Sequence, residues 1–213
     1  MKRKRVLLAD DHRIVSDGLK RILEPEFELV GIVEDGFALL EAAAEEKPDV
    51  IITDISMPGL NGIEALEELK KTDPEVQVVC MTMHTNVAYA RRALDAGALG
   101  YVLKHSASEE LVMAVRAAAA GRTFVSPAIA GEVLQSLQSG DDAATDPVSK
   151  LTLRQREILR LLTDGHSAKK IAKKLKISPR TVEFHKYAML EVLEVSTSAE
   201  LIRFALKYDI ADS

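Results

Sequence analysis

Five short apolar runs, at residues 5–9, 29–33, 50–53, 76–82 and 100–103, punctuate the first 120 residues and are rich in Val, Ile and Leu. Between them small or apolar side chains recur at helical spacing, as in Ile14/Val15, Gly18/Leu19 and Ile22/Leu23, or in Ile63, Leu66 and Leu69. Runs that are apolar at every position suit strands buried on both faces, and an intervening helix forces neighbouring strands to pair in parallel. The expectation is an α/β fold: a five-stranded, doubly wound parallel sheet covered by helices on both sides. The punctuation agrees. Lys47-Pro48 and Asp73-Pro74 close helices ahead of the third and fourth runs, while Gly97 and Gly121 stand where helix ends need a left-handed residue. Ser126-Pro127 opens a further short helix to about residue 137.

From residue 138 to 147 the sequence is polar and without periodicity, which reads as a flexible linker. Every later segment reads as helix. Thr152-x-x-Gln155 is a capping box ahead of Ile158, Leu159, Leu161 and Leu162. Ser167 caps a second helix with Ala168, Ile171, Ala172 and Leu175 facing inward. A tight turn through Lys176, Ile177 and Ser178 leads to Pro179 and a third helix to about residue 193, and a fourth spans about 198–208. Two short helices around a tight turn, inside a four-helix unit, make a helix-turn-helix. The division expected is a first domain at 4–121, a linker with a short helix at 122–147, and an all-α domain at 148–211.

Charge is divided the same way. Residues 148–213 carry 13 Lys and Arg against 8 Asp and Glu, a net +5, whereas residues 1–147 carry 15 against 25, a net −10. An acidic module joined to a basic one points to a polyanion as partner of the second. The single cysteine, Cys80, excludes an internal disulfide and a Cys-rich zinc site, and within the fourth run it reads as a small buried hydrophobe. No run approaches the roughly 18 apolar residues of a membrane span. Asp10-Asp11 cut short the apolar stretch behind the basic start, so no signal-peptide core forms. A soluble, cytoplasmic protein without a membrane partner is expected.

Asp10, Asp54, Thr82 and Lys104 fall at one equivalent place, at or just past the end of four apolar runs. In an open parallel sheet those ends converge on the crevice where ligands bind. Asp11 adds a third carboxylate, and such a cluster repels itself unless a cation sits in it. An oxygen donor set suits Mg²⁺. A carboxylate beside that ion can attack a phosphoryl group and form an acyl phosphate. Lys104 offers a positive charge and Thr82 a hydroxyl to a group carrying about −2. Asp54 is the best nucleophile, since it stands alone at its strand end before the Met57-Pro58-Gly59 turn. A single such acid would read as a helix cap, but four matched positions read as a site. His12 reads as a solvated neighbour, and His84 as a loop residue near the pocket mouth.

Between His166 and Lys186 stand seven basic residues, Lys169, Lys170, Lys173, Lys174, Lys176, Arg180 and Lys186, against one acid, Glu183. That density suits phosphate neutralisation on duplex DNA. With Val182, Met189 and Leu193 inward, the helix opening at Ser178 displays Thr181, Glu183, Phe184, Lys186 and Tyr187 in its first turns, as a major-groove recognition helix does. Phe184 is either core or a thymine-methyl contact; Glu183 either accepts from cytosine N4 or offsets nearby Lys; His185 falls between the two faces.

Residues 5–120 resemble the receiver domain of two-component response regulators, which has a flavodoxin-like fold. Residues 148–210 carry Leu151-Thr152-Leu-Arg-Gln-Arg-Glu157, Ile171-Ala172 and Ile177-Ser178-Pro-Arg-Thr-Val-Glu-Phe-His185, and resemble the LuxR-type output domain of the NarL/FixJ subfamily. The resemblance implies a bacterial transcription regulator, not an enzyme, whose Asp54 takes a phosphoryl group from a sensor histidine kinase. Asp10, Asp11, Asp54 and the Ser56 carbonyl would hold Mg²⁺, Thr82 and Lys104 would contact the phosphoryl group, and Tyr101 would be the switch residue that turns inward. It implies a homodimer on double-stranded DNA when phosphorylated. Ala188, Val192 and Glu194 depart from the family pattern, where polar or basic, Lys and Gly residues are usual. These departures weaken the phosphate-facing side, and they leave open a regulator that acts through protein partners instead of DNA. A phosphatase reading lacks a second general acid, because Ser56 occupies its place.

Overall fold

The computed structural model describes residues 3–83, 85, 87–106, 108–138, 151–175 and 177–207. The polar segment 139–147, His84 and Lys176 lie outside them. The chain divides into two compact units, Met1–Asp141 and Asp142–Ser213.

In the first unit β1 (Arg5–Ala9), β2 (Glu28–Val33), β3 (Val50–Asp54), β4 (Gln77–Thr82), β5 (Gly100–Leu103) and β6 (Phe124–Val125) alternate with α1 (Arg13–Leu23), α2 (Gly36–Glu46), α3 (Gly62–Thr72), α4 (Val87–Asp95) and α5 (Ser108–Ala119). Helix α6 (Pro127–Gln138) follows β6. Every strand pair is parallel, in the order β2-β1-β3-β4-β5-β6. The sheet therefore has six strands where five were expected. Phe124 and Val125 pair with Gly100 and Tyr101, and two residues are too few to show an apolar period.

Alternation along the strands feeds two cores. Leu7, Ile51, Val78, Cys80 and Tyr101 meet Leu39, Leu66, Ala90, Ile129 and Val133 on one face. Val6, Leu8, Ile52, Val79 and Val102 meet Leu23, Leu111 and Val115 on the other. All five residues of β3 are buried, as a central strand covered on both faces requires. One apolar position departs from the periodic reading: Ile14 is 89% exposed. The buried stripe of α1 runs through Ser16, Leu19 and Leu23, and a residue two places before it points about 200° away.

The second unit holds α7 (Leu153–Thr163), α8 (Ala168–Lys174), α9 (Pro179–Val192) and α10 (Ser198–Lys207). Their starts are those the sequence signals. Thr152 and Gln155 form the reciprocal capping box, Ser167 caps α8, and Ser178 caps α9 ahead of Pro179. Ile158, Leu159, Ile171, Ala172, Val182, Met189, Leu201 and Ala205 form the buried centre. Gly165 has φ 74° after α7, but the same left-handed region is occupied after α9 by Glu194, with φ 54°. Among the described residues no helix is long and apolar enough to cross a membrane.

Candidate functional site

Because β1, β3, β4 and β5 run parallel, Asp10, Asp54, Thr82 and Lys104 come out on one edge of the sheet. Asp10 and Thr82 are fully buried and Asp54 nearly so. Lys104 reaches over them, its Nζ 2.6 Å from Asp54 Oδ2 and 2.9 Å from Asp10 Oδ2. The Lys104 N–H donates to the Thr82 carbonyl at 2.7 Å, which holds the end of β5 against that of β4. The turn beyond β3 folds back tightly. Ser56 N–H donates to Asp54 Oδ1 at 3.2 Å, Gly62 N–H donates to the Ile55 carbonyl at 3.0 Å, and Asn61 and Glu64 close a capping box at the start of α3.

Burial pushes the Asp54 carboxyl above its ordinary value, and the charge of Asp10 adds to this against the opposing pull of Lys104 and the Ser56 N–H. Burial by itself would lower the Lys104 ammonium. The hydrogen bonds and charges of Asp54 and then Asp10 outweigh it, so Lys104 is held above its usual value. Two carboxylates thus face one ammonium. Asp10, Asp11, His12 and Asp54 each bring a ligand atom within 4.8 Å of the others. Asp10 Oδ2 and Asp11 Oδ1 are buried and take no well-aligned hydrogen bond, although Lys104 Nζ and His12 Nδ1 stand 2.9 and 2.7 Å away. Buried oxygens in that condition fit a hard divalent cation that keeps several waters. The His12 side chain is 63% exposed, in agreement with its reading as a solvated neighbour.

Tyr101 lies in the middle of β5, fully buried among Ala90, Ala93, Ile129 and Val133. The ring already occupies the interior, so the expected turn inward from outside has no starting point here. Burial raises its hydroxyl well above the usual range. Its partner across the ladder, Cys80, is pushed up to about 12 by burial and by the charge of Asp54. A thiol in that state is inert.

In the second unit Lys169, Lys170, Lys173, Lys174 and Arg180 are exposed on α8 and the first turn of α9. Phe184 and Tyr187 project into solvent with 68% and 65% exposure, so Phe184 is not core. Glu183 pairs with Lys186 at 2.5 Å, and Lys186 Nζ also stands 5.6 Å from the Tyr187 ring. Ser178 spends its hydroxyl at home, accepting from the Thr181 N–H at 3.0 Å and sharing a 2.7 Å hydrogen bond with the Thr181 hydroxyl. His185 is half-buried, its ring edge-on to Phe184. Of the two sequence readings of Glu183, its i, i+3 pair with Lys186 fits the one in which it offsets a nearby Lys.

The fold and the two sites define a receiver joined to a helical DNA-binding unit, and comparison with known proteins agrees. Residues 6–116 match the response regulator receiver domain family, and residues 149–205 match the luxR family of bacterial regulatory proteins. The chain belongs to the two-component response regulators that carry a LuxR-type DNA-binding domain and regulate transcription; it is not an enzyme. It is 35% identical to the oxygen regulatory protein NreC of Staphylococcus haemolyticus over 98% of this chain and 99% of the relative. It is 34% identical to the response regulator GacA of Pseudomonas aeruginosa over 98% of each. Among solved structures it is similar to RcsB of Salmonella enterica serovar Typhimurium bound to promoter P1flhDC with the phosphomimetic BeF3⁻. That likeness has a TM-score of 0.61 at 30% identity, covering 95% of this chain and 98% of that one.

Proposed function

We propose that Asp54 is the phosphoacceptor and that a phosphoryl group there switches DNA binding by the helical unit. The observation that carries this is the bridge of Lys104 between Asp54 and Asp10, among carboxylates that share a space 4.8 Å across. A sensor histidine kinase supplies the group. The phosphorus–nitrogen bond of its phosphohistidine breaks as a phosphorus–oxygen bond to Asp54 forms, and the imidazole leaves with its electron pair and takes a proton from solvent. Lys104 and the Thr82 hydroxyl contact the new oxygens, and Lys104 offsets part of their charge of about −2. Asp10, Asp11, Asp54 and the Ser56 carbonyl would hold Mg²⁺, which supplies further neutralisation of the shared oxygens.

Tyr101 acts as the switch residue by repacking against α4 and α6. Lys169, Lys170 and Arg180 neutralise phosphates, while Thr181, Glu183, Phe184, Lys186 and Tyr187 face the major groove and Ser178 fixes the start of their helix. The functional limits are 4–121 for the receiver, 122–147 for the linker and its short helix, and 148–211 for a four-helix helix-turn-helix domain. The phosphorylated form acts in the cytoplasm as a homodimer on paired half-sites, a reading supported by the similar solved structure of two RcsB dimers bound to two parallel DNAs. The test is DNA affinity with and without beryllofluoride and Mg²⁺. Wild type tightens and Asp54→Ala does not respond; an equal gain in the alanine variant rejects the proposal.

A further inference from the structure

Ser126 sits between β6 and α6, fully buried. Its main chain carries on the sheet, the N–H donating to the Tyr101 carbonyl at 2.9 Å, and its carbonyl starts α6 by accepting from Ile129 and Ala130. The backbone ladder between β5 and β6 ends there, at the Tyr101–Val125 pair. The next β5 donor on that side, Leu103 N–H, is taken by the Ser126 side chain, with Oγ at 3.1 Å. Ser126 Oγ also donates to Glu110 Oε2 at 2.6 Å and lies 3.3 Å from Ser106 Oγ. A serine hydroxyl has one proton and two lone pairs. With the proton spent on Glu110, Leu103 and Ser106 must both be donors, and nothing is left for the free N–H groups of α6. A serine that by sequence reads as the cap of α6 is turned toward the strand instead.

The strand end it holds is the one that carries Lys104. Leu103 precedes Lys104, and the Ser106 N–H donates to the Leu103 carbonyl at 2.9 Å, so this hydroxyl clamps both sides of the Lys104 turn. On its other side α6 packs through Ile129 and Val133 into the cluster that contains Tyr101, and Arg91 of α4 donates to the Ser136 carbonyl at 3.0 Å. Glu110, in the first turn of α5, fixes the hydroxyl's orientation.

We infer that Ser126, held by Glu110, is the positioning residue that ties Lys104 to α6, so that a change of charge at Asp54 is passed to the helix from which the chain continues to the DNA-binding unit. This rests on the phosphoacceptor reading. When Lys104 follows a phosphoryl group, the adjoining Leu103 backbone moves with it, and the Leu103 N–H carries along the Ser126 side chain, which is covalently continuous with α6. The carrier is a contiguous chain of hydrogen bonds with a defined first and last member.

The experiment is hydrogen exchange on the full-length protein, with Mg²⁺ alone and with beryllofluoride added. In wild type, exchange at 104–106 and within α6 changes at least threefold on addition. Ser126→Ala keeps the response at 104–106 and loses that of α6, while Ser126→Thr, which keeps the hydroxyl, restores it. Glu110→Ala, a good helix former in the first turn of α5, weakens the α6 response in the same direction and guards against a misfolded Ser126 variant. A merely structural serine would lower the unfolding temperature and leave the ratio of the two responses intact, and that result overturns the inference. So does an α6 that stays silent in wild type while 104–106 responds. Silence at both places in wild type sinks the phosphoacceptor reading itself, and the inference with it.

Discussion

Lys104 Nζ lies 2.6 Å from Asp54 Oδ2, with only 9% and 3% of the two side chains exposed. The same ammonium is 2.9 Å from Asp10 Oδ2, so one cation holds together two acids that would otherwise repel each other. Replacing it by Met leaves both carboxylates uncompensated. Breaking a buried pair from one side costs about 3 kcal/mol. In metal-free buffer Lys104→Met should lose about that much, and Mg²⁺ should recover more stability in the variant than it adds to wild type. Thermal melts of both proteins in EDTA and in millimolar Mg²⁺ decide it; equal metal-induced shifts would contradict the cluster's role as a cation site.

The position of this cluster was legible because strand ends can be located from apolar runs. Once the runs are strands of a parallel sheet, Asp10, Asp54, Thr82 and Lys104 have nowhere to go but one edge. What was not legible has physical reasons. Strand β6 is two residues long and carries no period. The bonds of Ser126 reach back 16 to 23 residues to side-chain and backbone partners that no local pattern names. Phe184, by contrast, stands two places past Val182 and so points about 200° from the buried stripe of Val182 and Met189, which agrees with its exposure. That the Tyr101 ring already lies inside depends on Ile129 and Val133 of α6 packing in the same cluster, a tertiary fact.

Gly62 lets α3 start against the backbone of Asp54, the proposed phosphoacceptor. A Cβ at this position would lie 2.1 Å from the Asp54 carbonyl oxygen and 2.9 Å from its carbon. Neither can yield without moving Asp54. Gly62→Ala should therefore slow phosphorylation by acetyl phosphate at least tenfold while the receiver still folds, at a cost of about 1–3 kcal/mol. Gly18→Ala is the control, since a Cβ there meets nothing within 4 Å. It should stabilise α1 by about 1 kcal/mol and leave the rate unchanged. A normal phosphorylation rate in Gly62→Ala would show that the site tolerates displacement.

Asp49 extends the β1–β3 pairing by one side chain. Its Oδ2 accepts from the Arg5 N–H at 2.8 Å and its Oδ1 pairs with Lys4 at 2.9 Å, while its own N–H donates to the Arg5 carbonyl. The Arg5 N–H first, and then Lys4, hold the carboxyl below its ordinary 3.8. A carboxyl depressed in the folded state binds fewer protons there than in the unfolded one. The stability it contributes is therefore present above 3.8 and is lost as pH falls through the lower folded value. Urea unfolding of wild type and Asp49→Asn should differ at pH 6, and the difference should shrink progressively as pH falls below 3.8. A difference that stays constant with pH would assign the effect to packing.

Glu194 closes α9 in a position made for glycine. Its N–H donates to the Glu191 carbonyl and that of Val195 to the Leu190 carbonyl, the paired bonds of a Schellman turn, with φ 54° at Glu194. A side chain in that conformation costs about 1 kcal/mol. Glu194→Gly should stabilise the helical unit by about that amount, and Glu194→Ala, which removes the charge but keeps the strain, should give little. Hydrogen exchange at Val182 and Met189 amides reads the unit's own stability. An alanine variant as stable as the glycine one would make charge the cause.

Phe184 is 68% exposed on the helix that Ser178 caps, while the charges of Glu183 and Lys186 are spent on each other at 2.5 Å. The exposed face is thus left with aromatic surface, and the apolar feature available in the major groove is the thymine methyl. On the best site selected from random DNA, replacing one thymine by uracil removes a single methyl group. Burial of that group is worth about 0.8 kcal/mol, or about fourfold in affinity. Wild type should lose about fourfold at one thymine per half-site, and Phe184→Ala should bind the two DNAs equally. The salt dependence of binding should not change in Phe184→Ala, whereas Lys169→Ala should lower its slope by about one. Uracil tolerated at every position by wild type would assign the ring to packing against the sugar–phosphate backbone instead.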